Sequence, residues 1–176
     1  MDATLIFAAQ ATLSLLTFGL IARWVIYPRL RERSLRDALT PLLLFETLRT
    51  VGLVVFVPGL TDGTLSTGFT IPEAVGDQLA VALAFVALVA VRSGWRAAPA
   101  LVWLFTIEGL ADFVNATVQG LRFNIPAHMG PAWVIPTYGV PAFAAVHLTV
   151  IALLLNGARR ARQPAGDAGE RAVDVP

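Results

Sequence analysis

Cysteine is absent from this 176-residue chain, which excludes disulfides, thiolate metal sites and cysteine nucleophiles and leaves the redox compartment open. Lysine is absent too, so all 13 basic residues are arginine. Charge is scarce: 14% of residues are charged, against roughly 25% in an average soluble domain. The 13 arginines and 12 acids leave a formal net charge of +1, so no global field attracts nucleic acid and no nucleic-acid partner is expected. There is no P-loop, no G-x-G-x-x-G and no G-x-S-x-G, and no serine has an obvious catalytic partner. The excess is apolar, at 56% of residues. This composition excludes a disordered chain, a secreted disulfide scaffold and a DNA-binding domain. It predicts one polytopic membrane domain whose first partner is the lipid bilayer.

A membrane-spanning helix needs about 20 mostly apolar residues. Five segments qualify: Leu5 to Tyr27, Ala38 to Val57, Glu73 to Val91, Ala97 to Gln119 and Trp133 to Leu155. The expected fold is therefore an all-α bundle of five transmembrane helices over residues 1–158. Residues 159–176 are expected to form a disordered cytoplasmic tail, rich in Gly, Ala, Pro and charge from Gln163 onward. Val57-Pro58-Gly59 stops the second span, and Ser34 with Asp37 caps its start. Thr70-Ile-Pro-Glu73 has the spacing of a capping box at the start of the third. Pro136 and Pro141, with Gly139 between them, predict a kink early in the fifth. Asp2 stands where a signal peptide would carry basic residues, so the first segment reads as an uncleaved span.

Arginine placement predicts orientation. Arg23, Arg29, Arg31, Arg33, Arg36, Arg92, Arg96, Arg159, Arg160, Arg162 and Arg171 fall on one side, and Arg122 alone on the other. By the positive-inside rule the N-terminus is outside and the C-terminus cytoplasmic. Five unequal spans do not divide into inverted halves, which argues against the common transporter architecture.

Ionisable groups are costly in the middle of a bilayer, about 2.5–3.5 kcal/mol each on insertion scales, and mark functional sites by default. The second span carries Glu46 and Arg49, the third Asp77, the fourth Glu108 and Asp112, and the fifth His147. Glu108, Asp112, Asn115 and Gln119 recur at helical spacing and form one stripe. Asp77 shares a face with Ala80, Ala84 and Ala87, small residues that mark close helix packing, so it should face protein. At a rise of about 1.5 Å per residue, Glu46, Glu108 and His147 fall within roughly 5 Å of the midplane. Arg49, Asp77 and Asp112 lie slightly further out, and Asn115, Gln119 and Tyr138 further still. The expected site is a polar, acidic cavity open to the non-cytoplasmic side. Glu46, Asp77, Glu108 and Asp112 outweigh Arg49, so protonation, a charged His147 or a bound cation must make up the difference. One histidine with two carboxylates can hold a divalent ion, but no H-x-x-x-H, H-E-x-x-H or D-x-x-D pattern supports one, and no metal site is assigned. His128 is expected to be a solvated loop residue.

Three runs carry a resemblance: Leu48 to Gly59, Ala111 to Gly120 and Ile135 to Pro141. Within them stand Arg49 with Pro58-Gly59, Asp112-x-x-Asn115-x-x-x-Gln119-Gly120 and Ile135-Pro136 with Pro141. Over residues 40 to 155 the chain resembles a group of small bacterial five-helix inner-membrane proteins to which no function is assigned. The resemblance implies the fold and a multi-pass place in the bacterial inner membrane, and no activity. Exclusive arginine and abundant alanine are also what a GC-rich bacterial genome yields.

The favoured expectation is that the cavity binds or passes a small polar or cationic ligand, or protons. Glu108 and Asp112 would form its charged floor, Arg49 would tune them, and Asn115, Gln119 and Tyr138 would line the mouth. Two alternatives stand beside it. One is a membrane-embedded enzyme in which Glu46, Glu108 and His147 exchange protons with a lipid-soluble substrate. The other is an accessory subunit whose polar faces answer a membrane partner or a second copy of the chain. The sequence identifies no cofactor and leaves catalysis open.

Overall fold

The computed structural model describes residues 2–162, and the tail expected from Gln163 onward, with Arg171, lies outside the described residues. Among the described residues there is no strand. Five helices are long and apolar enough to cross a membrane: α1 (Ala3–Leu30), α2 (Leu35–Phe56), α3 (Thr67–Ser93), α4 (Ala98–Arg122) and α5 (Gly130–Arg160, its helical backbone continuing to Arg162). Each overlays one of the five apolar segments of the sequence.

The ends are set by local chemistry. Asp2 caps α1 by accepting from the Thr4 amide. Ser34 accepts from the Asp37 amide at 3.1 Å and donates to its carboxylate at 2.6 Å, closing the start of α2. Val57 turns extended, so α2 stops ahead of Pro58-Gly59. α3 begins three residues before the expected capping box, with Ser66 as its N-cap. Glu73 is therefore not a cap but a side chain nearly two turns inside the helix. Gly94, with φ +68°, closes α3 in the left-handed conformation that favours glycine.

Three of the five helices depart in part from α geometry. In α2, Thr47–Phe56 is a 3-10 helix of ten residues, long for that conformation. Thr47, Thr50, Val51, Val54 and Val55 are β-branched, and with Gly52 they weaken the α preference there. In α1, Ala22–Ile26 forms a wide π turn just ahead of Pro28, whose missing N–H leaves a carbonyl free. In α5, Gly130–Trp133 is 3-10 and Ile135–Gly139 is π before regular helix resumes at Val140. The distortion expected from Pro136 and Pro141 takes this form.

Helix α3 packs against α2 and α4, and α5 packs against α1, α2 and α4. α1 leans on α5 from outside, where the Trp133 indole donates to Gln10 Oε1 at 2.5 Å and meets Phe7 edge-on at 5.3 Å. At one end the loop after α2 meets the start of α5 and the loop before it: the Ala132 amide donates to Leu60 O at 2.9 Å and the Asp62 amide to His128 O at 3.1 Å. At the other end Leu35 reaches Gly157, and the start of α2 shares a groove with Trp95 and Ala98. That second end carries the arginine-rich connections. Between the ends, the half of the bundle nearer the arginines is apolar. Leu39, Leu42, Leu43, Ala84, Ala87, Ala90, Val102, Phe105, Val150 and Leu153 are buried together there.

Candidate functional site

The other half of the same bundle is charged. In the 3-10 segment of α2, 3.0 residues make one turn, so side chains three apart stack in a straight row. Glu46, Arg49 and Gly52 form that row, and all three are buried. Arg49, only 1% exposed, is the hub. Its Nε donates to Asp77 Oδ1 at 2.9 Å, and its Nη2 donates to Asp112 Oδ2 at 2.5 Å while lying 2.8 Å from Asp77 Oδ1. Its guanidinium carbon sits 4.2 Å from the centre of the Phe113 ring, a cation–π contact. Nη1 has no hydrogen-bond partner.

Glu73 joins this group from the helical turn before Asp77. Glu73, Asp77 and Asp112 each offer a carboxylate oxygen, and the three lie within 4.8 Å of one another, close enough to share a proton or a small cation. Glu73 is the partly exposed member, on the side of the 57–66 and 123–129 loops. Asp77 continues into Ala80, Ala84 and Ala87, buried along the same face of α3.

Toward the apolar half, His147 Nε2 stands 3.4 Å from Glu46 Oε2, and both residues are fully buried. The imidazole stacks on Phe105 with centroids 4.6 Å apart and meets Phe113 edge-on at 5.7 Å. Glu108 is half-buried, one turn from Asp112, with Oε2 enclosed and without a partner. The polar group thus joins Glu46, Arg49, Asp77, Glu108, Asp112 and His147 on four helices, with Glu73 added.

Three glycines make this packing possible. A Cβ at Gly52 would collide with the Asp77 carboxylate, one at Gly76 with the Asp112 carboxylate, and one at Gly109 with the His147 ring. The pattern advances helix by helix: each ionisable side chain lies flat on a glycine of the helix before it in sequence. Gly109 also lies against Arg49, with Nη1 3.0 Å from where its Cβ would be. Sequence reading left out Glu73 and these glycines. Their signal was available, since Gly52 stands three residues after Arg49, Gly76 directly before Asp77 and Gly109 directly after Glu108.

Two expected members are exposed. Asn115 is exposed, because three residues fall about 60° short of a full α turn from Asp112. Tyr138, expected at the mouth, is 47% exposed while its neighbour Thr137 is fully buried, since the π turn shifts the register there. Gln119 is half-buried with an enclosed, unpartnered Oε1. His128 is not merely solvated: its Nδ1 lies 2.7 Å from Asp62 Oδ2 and 2.8 Å from Thr64 Oγ1, tying the two loops together.

Neither a curated protein nor a solved structure matches the chain. Residues 6–155 match the model of one family, and the chain belongs to that family, described as a domain of unknown function (DUF8737).

Proposed function

We propose that this chain is a multi-pass protein of a bacterial inner membrane, N-terminus outside and C-terminus cytoplasmic, whose polar layer binds protons or another small cation. Its outward surface supports the membrane reading, with Leu5, Trp24, Val114 and Leu121 each more than 60% exposed. The arginine-rich end supports the orientation.

One observation carries the functional reading. Five carboxylates, of Glu46, Glu73, Asp77, Glu108 and Asp112, gather around one guanidinium that is hydrogen-bonded by only two of them. Glu46, Glu73 and Glu108 keep enclosed oxygens with no protein donor. Buried charge that no protein group compensates must be met by protons or a cation. Glu73 and Glu108 are the partly exposed acids, and a cation would enter past them. Toward the arginine-rich end the layer stops at Phe105, Val102, Leu43 and Val150. The geometry therefore favours binding from one side over an open path through the bundle. Glu46 and His147 are fully buried, which weighs against direct proton exchange with a lipid-soluble substrate.

A second reading draws on Asn115, an exposed amide between the exposed Val114 and Val118 on α4. A polar side chain facing lipid suits a contact with another helix, from a membrane partner or a second copy of the chain.

The test uses the full chain in nanodiscs. Proton uptake after a pH step is followed with an indicator dye, and sodium and methylammonium binding by equilibrium dialysis. Glu73→Gln and Glu108→Gln should fold and each remove a measurable part of the uptake or cation binding. Unchanged uptake and binding in both variants would overturn the reading and leave the acids as packing elements.

A further inference from the structure

We propose that Glu46 and His147 together hold one exchangeable proton at the closed end of the polar layer, which makes the proton the cation that this end of the site takes. The proposal rests on the reading above, that the layer is a binding site, and names the ligand of its inner part.

Both side chains are fully buried, and none of their four polar atoms has a hydrogen-bond partner. Buried polar side chains are normally satisfied by protein or water. Here the two unsatisfied residues face each other, with Nε2 and Oε2 3.4 Å apart, slightly beyond a good hydrogen bond. The groups that could supply charge are accounted for. On α2 and α3, Arg49 is engaged by Asp77; on α4, Asp112 takes its Nη2. Glu108 and Asp112, the ionisable groups of α4 in this region, are acids; α1 brings Gln10 to Trp133, and Arg23 and Tyr27 to a groove shared with Ala145, Leu148, Thr149 and Ala152 of α5.

An ionised Glu46 beside a neutral imidazole leaves the pair at −1 in an enclosure closed by Phe105 and Phe113. One added proton brings the pair to zero net charge, either as imidazolium with carboxylate or as imidazole with carboxylic acid. In both forms Nε2 and Oε2 complement each other as donor and acceptor, and a small rotation closes the gap. The route inward passes Arg49, whose Nη1 crowds the same flank of Gly109 as His147 Nε2. Arg49 keeps its charge, so it stands as a fixed cation between the outer acids and the inner pair.

The chain has only two histidines, so H128N leaves His147 as the single imidazole. In that background, 15N NMR of histidine-labelled protein in nanodiscs reads the protonation of His147 against pH. E46Q should lower its midpoint by at least about one pH unit, while E73Q should leave it within about 0.3. In the unsubstituted chain, the Glu46 13Cδ and His147 15N signals should move together at one midpoint, a measurement that survives a folding failure of E46Q. A midpoint unmoved by E46Q, separate midpoints for the two signals, or Glu46 13Cδ and His147 15N signals that both stay unchanged from pH 4 to 9 would overturn the proposal. Uptake reduced by E73Q with His147 indifferent to E46Q overturns the pair alone. Uptake indifferent to E73Q and E108Q, with His147 responding to E46Q, overturns the outer binding site alone.

Discussion

The two halves of this bundle are built from the same helices and fill space in opposite ways. Near the arginine-rich end, Ala84, Ala87 and Ala90 of α3 let Leu39, Leu43, Val102, Phe105 and Val150 close around them, and no charge is enclosed. One to two turns away, Gly52, Gly76 and Gly109 take the place of alanine, and the space they leave is filled by Asp77, Asp112 and His147. Small residues permit close helix approach in both halves. The difference lies in what they approach. Alanine against leucine needs only shape. Glycine against a carboxylate needs a counter-charge, and Arg49 alone supplies it to Asp77 and Asp112. A bundle able to make the first kind of layer has no structural need of the second, which is why the charged half reads as the functional one.

The largest effect should come from removing the hub. Arg49→Met leaves Asp77 and Asp112 buried and unpaired, and breaking such a group costs about 3–5 kcal/mol. Unfolding of the purified chain in detergent, followed by tryptophan fluorescence, should show the loss. The triple variant Arg49→Met, Asp77→Asn, Asp112→Asn should regain most of the stability, because apolar and neutral replacements of a buried ion group are often tolerated. It should not regain proton or cation binding. A triple variant as unstable as the single one would mean that the ions themselves hold the helices together, and the contrast between the halves would fail.

Next in size are the glycines. Gly76→Ala and Gly109→Ala place a methyl into a carboxylate and an imidazole that cannot retreat, and overpacking of this kind costs about 1–3 kcal/mol. Gly19 in α1 has nothing within 4 Å of a would-be Cβ, so Gly19→Ala should leave the unfolding midpoint in place or raise it. If all three behave alike, the close approach in the charged half is not what those glycines serve.

This contrast also marks how far the sequence could be read. The apolar half was legible because alanines recur at helical spacing from Asp77 and long apolar runs define the spans. Arg49, Asp77, Asp112, Glu46 and His147 were legible because charge in a span is rare enough to stand out. Glu73 was hidden by its own motif: Thr70-Ile-Pro-Glu73 has capping spacing, but Ser66 caps the helix and moves Glu73 inside. The exposure of Asn115 and Tyr138 is not marked in the sequence, because Asn115 keeps the helical spacing of the acidic stripe and Tyr138 is placed by depth alone. The 3-10 segment Thr47–Phe56 keeps Arg49 and Gly52 in line with Glu46 at its N-cap, and within the π turn Ile135–Gly139 Tyr138 is exposed beside the buried Thr137. Neither distortion has a pattern that hydropathy records.

The smallest effect should come from the second carboxylate–histidine pair, which tests whether surroundings or partners give the buried group its weight. Asp62 and His128 meet at 2.7 Å, but in exposed loops. Hydrogen bonds from the Thr64 hydroxyl and amide, then from His128, lower the Asp62 carboxyl from 3.8 to about 2. A depressed folded-state value means that the contribution is complete above 3.8 and is lost as pH falls through about 2. The Thr64 amide donates to Asp62 Oδ1 at 2.9 Å, so its proton shift should report that low midpoint. Thr64→Ala should raise the Asp62 midpoint toward 3.8, read from its own side-chain carbon. Asp62→Asn should leave the global unfolding midpoint within experimental scatter, since exposed pairs are screened by water and salt. A destabilisation approaching that of Arg49→Met would show that the loop clasp, and not the charged layer, holds the charged half of the bundle.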